Sequence, residues 1–79
     1  MILEYNTRGI GMAELDTGLP SVRQVQAYIQ EKKPVEVKLT TGDVLAGQIV
    51  WQDPDYFRLV NGQQEQFLLY RATVVYIKG

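Results

Sequence analysis

The sequence predicts a mainly β domain in which one N-terminal helix precedes five short antiparallel strands. Apolar residues recur every three to four positions before Pro34 and every second position after it. Turn-forming residues then divide the second part into five short segments. The last two segments are apolar on both faces, and such strands need partners at their edges. We therefore expect neighbouring subunits to pair with them and to close a ring.

The first 18 residues are predicted to form a flexible arm, and residues 19–79 are predicted to form the folded domain. The arm has no sustained apolar period and is interrupted by glycines. Met12 is an alternative to Met1 as the start of translation. The sequence leaves that choice open.

A helix is predicted at about residues 21–33. Ser21 is a good N-cap residue, because its hydroxyl can accept a hydrogen bond from the first turn, and Pro34 is expected to end the helix. Lys32 and Lys33 fall in the predicted last turn, where positive charge opposes the helix dipole. The apolar stripe consists of Val22, Val25, Tyr28 and Ile29.

Alternation and turn signals predict five strands within residues 35–78. Their expected bounds are 35–39, 44–52, 56–60, 65–71 and 74–78. Gly47 is predicted to mark a sharp bend or a close backbone approach, and Trp51 to lie in the core or partly under the helix. Asn61 and Gly62 predict a hairpin turn with positive φ, and Ala72 begins a tight turn.

Composition limits the classes of function. The chain has 79 residues, 46% of them hydrophobic, and neither cysteine nor histidine. Zinc of the usual ligand types and disulfides are thereby excluded, and no catalytic motif is present, so we expect no enzyme, no metal and no cofactor. A domain this small often needs a partner for stability, which favours self-association.

Hydropathy and charge limit the possible partners. No apolar run approaches the roughly 20 residues that a membrane span needs, and the N-terminus lacks a signal-peptide pattern. We expect a cytoplasmic protein with no membrane partner. Residues 17–79 hold seven basic and six acidic residues, a net charge of +1. This near neutrality predicts weak nonspecific binding to nucleic acids and no specificity for DNA.

Two segments and the helix start together resemble the bacterial Hfq branch of the Sm-like (LSm) proteins. Residues 34–53, PVEVKLTTGDVLAGQIVWQD, resemble the first Sm motif, with Gly42, Gly47 and Asp53 at the family's spacing. Tyr70-Arg71 and the following apolar strand resemble the second motif. Residues 19–26 are similar to the helix start of the divergent cyanobacterial branch. The resemblance covers residues 19–78.

The resemblance implies an Sm-like fold, which is a strongly bent five-stranded antiparallel barrel assembled as a homohexameric ring. Members of the family are RNA chaperones that pair small regulatory RNAs with messages. They bind U-rich single-stranded RNA on the proximal, helix-side face and A-rich RNA on the distal face, and they use basic residues on the outer rim.

Site residues follow from this resemblance. Proximal RNA contacts are expected at Tyr70, Arg71, Tyr56, Ser21 and Gln24. Distal or rim contacts are expected at Lys38, Thr41, Lys32 and Lys33. The subunit interface is expected to include Phe67, Leu69, Tyr70, Val74 and Tyr76. Gly42, Gly47 and Asp53 are expected to be structural.

The proximal positions depart from the family's pattern. Pro54 and Asp55 stand where the family has a glutamine and a stacking phenylalanine, and Ala72 replaces a histidine. RNA binding is therefore expected to be weak or altered. The alternative is a ring that acts as an adaptor, docking a partner protein with little RNA contact.

Three side chains have competing interpretations. Arg71 is either a cation that contacts RNA or one partner of an interface ion pair with Asp53 or Asp55. Asp53 and Asp55 resemble the paired carboxylates of a hydrolase, but hydrogen bonding of Asp53 within its own turn is strongly favoured.

Overall fold

The computed structural model describes residues 14–79. One helix and five strands follow in the predicted order: α1 Pro20–Glu31, β1 Val35–Leu39, β2 Val44–Gln52, β3 Tyr56–Val60, β4 Gln66–Tyr70 and β5 Val74–Lys78. A 3-10 turn, Arg71–Thr73, stands where a tight turn was expected at Ala72. Residues 1–13 of the predicted arm, with the alternative start Met12, lie outside the described residues.

Helix α1 begins and ends earlier than predicted. Pro20 occupies the start of the helix, where its missing N–H costs no hydrogen bond, and Leu19 is the N-cap without a side-chain hydrogen bond. Ser21 therefore lies inside the helix, and its prediction as the N-cap was wrong. At the other end Lys32 adopts a left-handed conformation, with φ 53°. Lys32 and Lys33 follow the helix and are not part of its last turn.

The strands form one antiparallel sheet in the order β4-β3-β2-β1-β5. Strand β2 changes partner along its length: residues up to Gly47 pair with β1, and residues from Gln48 onward pair with β3. The sheet bends at this point. Because β4 and β5 do not pair with each other within the described chain, the sheet remains unclosed and leaves two free edges.

The core lies between the bent sheet and the inner face of α1. One valine of the helix packs on buried residues from four strands. The cluster contains Val25, Val35, Val37, Ile49, Phe57, Leu59 and Leu69. Burial of these side chains holds the helix over the sheet, which places the start of α1 beside the β2–β3 turn.

Trp51 lies outside the core, so the first of its two predicted placements was wrong. The β2–β3 register shifts between Ile49 and Trp51, so Val50 is an extra residue and the alternation of faces breaks there. Trp51 is 39% exposed. Its ring centroid lies 5.5 Å from the guanidinium carbon of Arg58, a cation–π distance.

The β3–β4 connection is longer than the predicted hairpin turn. The Oδ1 atom of Asn61 accepts hydrogen bonds from the backbone N–H groups of Gln63 and Glu65, at 2.9 and 3.0 Å. The positive φ, 66°, falls on Gln64. The side chain of Asn61 organises this loop, and β4 begins at Gln66, one residue later than expected.

Candidate nucleic-acid interface

The β2–β3 turn is built around the carboxylate of Asp53. Its Oδ1 atom accepts hydrogen bonds from the backbone N–H groups of Asp55, at 2.9 Å, and Tyr56, at 2.6 Å. The backbone N–H of Asp53 donates to the carbonyl oxygen of Tyr56 at 2.9 Å. The carboxylate of Asp53 thus serves as the acceptor of an Asx-type turn.

Arg71 reaches from the end of β4 into this same turn. Its Nε and Nη2 atoms donate to the carbonyl oxygen of Asp53 at 3.2 and 2.7 Å, and Nη2 also donates to Oε1 of Gln52 at 3.0 Å. The guanidinium carbon lies 4.1 Å from the ring centroid of Phe57. The backbone N–H of Arg71 donates to the carbonyl oxygen of Asp55 at 2.6 Å. Arg71 therefore bonds the backbone of Asp53, not its carboxylate.

Burial and the neighbouring carboxylates shift the pKa of Arg71 in opposite directions. Burial lowers the pKa of Arg71, while the nearby carboxylates of Asp53 and Asp55 raise it. An arginine keeps its charge at neutral pH despite such burial. A half-buried cation therefore stands permanently beside the turn.

Gln52 joins this turn to the helix, and the sequence analysis did not single it out. Its Nε2 atom donates to the carbonyl oxygen of Val22 and to Oε1 of Gln26, both at 3.1 Å. The sequence feature that could have identified Gln52 is its place as a polar residue at the end of an apolar strand, where the strand approaches the helix. Arg71, Gln52 and the first turns of α1 thus belong to one hydrogen-bonded network.

Two of the predicted proximal residues, Ser21 and Arg71, share one cleft. Its volume is about 270 Å³. The cleft is lined by Glu14, Leu15, Asp16, Leu19, Ser21, Val22, Pro54 and Arg71. A cation and a hydroxyl thus meet two carboxylates in a site large enough for part of a nucleotide.

The other predicted proximal residues lie in two other places. Tyr56 and Tyr70 are cross-strand partners with ring centroids 5.5 Å apart, and both are exposed. Gln24 lines a groove between α1 and β5, next to Ser21 and Val74. The structure brings Ser21 together with Arg71, and Tyr56 together with Tyr70.

The predicted distal and rim residues are dispersed. Lys38 is half-buried on β1 and lies opposite Val44 and Tyr76. Thr41 donates a hydrogen bond to the carboxylate of Asp43 at 2.7 Å within the β1–β2 turn. That turn also contains Gly42, whose φ of 94° favours glycine.

The lysines at the rim lie apart from these residues. Lys32 and Lys33 are both exposed at the end of α1. Their position on the connection from α1 to β1 gives the subunit a small basic site, separate from the cleft at Arg71.

The residues predicted for the subunit interface differ in how exposed they are within one subunit. Leu69 is only 7% exposed and belongs to the core, so its side chain is not available to a neighbour. Phe67 and Val74 are half-buried against that core. The exposed apolar residues of the edge strands are Leu68 and Tyr70 on β4, and Val75 and Tyr76 on β5. Alternation places Leu69 and Leu68 on opposite faces of β4.

No group of three or more acidic, cysteine or histidine side chains within residues 14–79 is placed to hold a metal ion. No helix in this range is long and apolar enough to cross a bilayer.

Comparisons with known proteins agree with this architecture. A sequence model of the family described as "Hfq related" matches residues 19–79. The crystal structure of an Hfq protein from Anabaena sp. is 37% identical, with a TM-score of 0.69, over 76% of this chain and 95% of that chain. No curated protein sequence matches this chain.

A second solved structure extends the comparison of the fold. It is a crystal structure of Hfq described as a pleiotropic translational regulator, and it superposes with a TM-score of 0.71 at 19% identity, over 75% of this chain and 97% of that chain. The helix followed by a bent, unclosed sheet of five antiparallel strands is the Sm-like fold of these neighbours.

Proposed function

This chain belongs to the Hfq-related family, and we propose that it forms a cytoplasmic homohexameric ring that binds single-stranded RNA. Its role would be post-transcriptional regulation through the pairing of small regulatory RNAs with messages, as the family resemblance implies. The observation that carries the proposal is the cleft in which Ser21 at the start of α1 meets Arg71 at the end of β4.

Ring assembly is supported by the two free edges of the sheet. Strands β4 and β5 each lack a neighbour on one side within the described chain, and each exposes large apolar residues beside that edge. Pairing β4 of one copy with β5 of the next would satisfy both edges and cover these side chains. Light scattering should give a particle of about six subunits. A folded monomer at micromolar concentration would contradict the proposal.

The RNA affinity is expected to be weak because each subunit offers little charge near the cleft. Arg71 is the basic residue that lines it, and Glu14 and Asp16 line it too. Each phosphate neutralised on a single strand contributes about −0.7 to the slope of log affinity against log salt. We expect micromolar or weaker binding at physiological salt, with a shallow slope from at most about one phosphate per subunit.

Fluorescence anisotropy with labelled oligonucleotides tests this directly. U-rich and A-rich RNA of equal length should be titrated at several salt concentrations, with DNA of the same sequence as the comparison. Preference for U-rich RNA that is lost in Arg71→Ala would support the cleft as the site. Nanomolar affinity would show that the substituted positions do not weaken RNA binding. Absence of RNA binding would contradict the proposed function.

The alternative function, a protein-docking adaptor, is favoured by the altered contact positions. Pro54 lines the cleft where a glutamine is expected, and the Nε and Nη2 atoms of Arg71 are already bonded within the subunit. Recovery of the ring from cells with and without nuclease distinguishes the two. Partners that survive nuclease treatment, without enriched RNA, would support the adaptor.

A further inference from the structure

Gln52 uses both ends of its side-chain amide, and each end bonds a different element. The carbonyl oxygen Oε1 accepts from Nη2 of Arg71 at 3.0 Å. The amino nitrogen Nε2 donates to the carbonyl oxygen of Val22 and to Oε1 of Gln26 at 3.1 Å. A flipped amide would set donor against donor and acceptor against acceptor, so the hydrogen-bond partners fix its orientation.

The hydrogen bonds that Arg71 donates to Gln52 and Asp53 fix the position of its whole guanidinium group. Nε and Nη2 are occupied, and Phe57 lies 4.1 Å from the guanidinium carbon. The group is planar and rigid, so fixing two of its nitrogens also fixes the third. The remaining nitrogen, Nη1, has no hydrogen-bond partner within residues 14–79 and belongs to a side chain that lines the cleft.

We infer that Gln52 is a positioning residue for RNA: its amide couples helix α1 to Arg71 and aims the free Nη1 edge of Arg71 at the ligand. The inference rests on the proposed function, in which Arg71 contacts RNA. Gln52 adds no charge and does not line the cleft. Gln52 orients the guanidinium group of Arg71. Through Gln52, a displacement of the first turns of α1 would also move Arg71.

The test compares Gln52→Met with Gln48→Leu in the assembled ring. Methionine has nearly the length of glutamine but cannot replace its hydrogen bonds, and Gln48 is an exposed glutamine of the same strand outside this network. Gln52→Met should weaken binding of a U-rich oligonucleotide by about three- to tenfold, the range expected for a disrupted hydrogen-bond network. Gln48→Leu should leave the affinity unchanged.

The salt dependence separates positioning from a general loss of stability. Gln52→Met should make the salt slope shallower, as Arg71→Ala does, although residue 52 carries no charge. In an Arg71→Ala background, Gln52→Met should then have no further effect on affinity. A residue that only stabilises the fold would leave the slope unchanged, and its effect would add to that of Arg71→Ala.

A second readout does not depend on RNA. The Nε–H group of Arg71 donates to Asp53, so its proton should exchange slowly with water in nitrogen-15 NMR spectra, and Gln52→Met should speed this exchange. Gln52→Asn, whose shorter side chain cannot span both partners, serves if the methionine variant fails to fold. RNA binding that is intact and unchanged in these variants would overturn this inference alone. Absence of RNA binding by the unmodified ring would overturn it together with the proposed function.

Discussion

Gly47 is required because another strand passes directly over its α-carbon. A Cβ atom at this position would lie 2.9 Å from the carbonyl carbon of Val60 and 3.0 Å from the Cα of Asn61, and closer still to the carbonyl oxygen of Val60. These are backbone atoms of β3 and its following loop. They cannot retreat without breaking the register of Gln48 with Val60.

Gly47→Ala should therefore destabilise the protein, even though alanine adds a single methyl group. We expect a loss of about 2–3 kcal/mol in the free energy of unfolding, at the upper end of typical overpacking costs. Urea unfolding and light scattering measure the two consequences, stability and ring assembly. Ala46→Val is the matched control, because Ala46 is exposed. Equal stability of the two variants would refute the close approach.

Asp55→Phe should strengthen RNA binding by restoring an aromatic side chain near the cleft. The side chain of Asp55 is exposed. Asp55 contributes to the turn through its backbone N–H, which donates to Oδ1 of Asp53, so the substitution should leave the fold intact. Base–aromatic stacking is worth about 1–3 kcal/mol per base. Asp55→Asn, which removes the charge without adding a ring, separates stacking from lost repulsion in the same anisotropy titration. Equal gains in both variants would exclude stacking as the cause.

At the scale of elements, the free edges of β4 and β5 are where assembly can be disrupted. Val75 lies on β5, the last strand of the sheet, and is 57% exposed. Val44 lies on the interior strand β2, opposite Lys38 of β1, and is 49% exposed. The two valines are thus similarly accessible, but only Val75 belongs to a strand at the end of the sheet order.

Val75→Glu should shift the ring toward monomers at micromolar concentration, because a buried, unpaired carboxylate opposes association. Val44→Glu should leave assembly intact, since Val44 lies opposite Lys38 and the new carboxylate gains a cationic neighbour. Size-exclusion chromatography with light scattering reports both. A hexamer from Val75→Glu would mean that this edge does not form the interface.

Local signals predicted most of these elements. The error at Ser21 was local, because Pro20 already begins the helix, whereas the error at Trp51 came from a long-range contact. Pro34, the β1–β2 turn and Asp53 correctly predicted the bounds of β1, β2 and β3. The extra residue Val50 depends on pairing with β3, so alternation along β2 alone placed Trp51 on the wrong face. Similarly, the resemblance pointed to Arg71, but its bonds to Gln52 and Asp53 join residues distant in sequence, and no local pattern encodes them.

For the whole molecule, the arm is expected to contribute little to stability. Removing residues 1–11 should change the melting temperature by less than about 2 °C, because the segment has no periodic apolar face to bury. Glu14, Leu15, Asp16 and Leu19, which help to line the cleft, remain in this variant. Differential scanning calorimetry of the full chain and the shortened chain makes the comparison. A fall of several degrees would mean that residues 1–11 pack on the ring.

The strand order also has a kinetic consequence. Strands β1 to β4 pair as successive hairpins, whereas β1 pairs with β5 across all the intervening strands, as in the register of Glu36 with Lys78. Hairpins form within about 1–10 μs, but bringing distant segments together carries a larger loop-closure entropy. Strand β5 should therefore dock last, and because it supplies one edge of the proposed interface, subunits should associate only after it docks. Refolding should then show a phase independent of protein concentration before any concentration-dependent phase. A concentration dependence in the first phase would show that association assists the docking of β5.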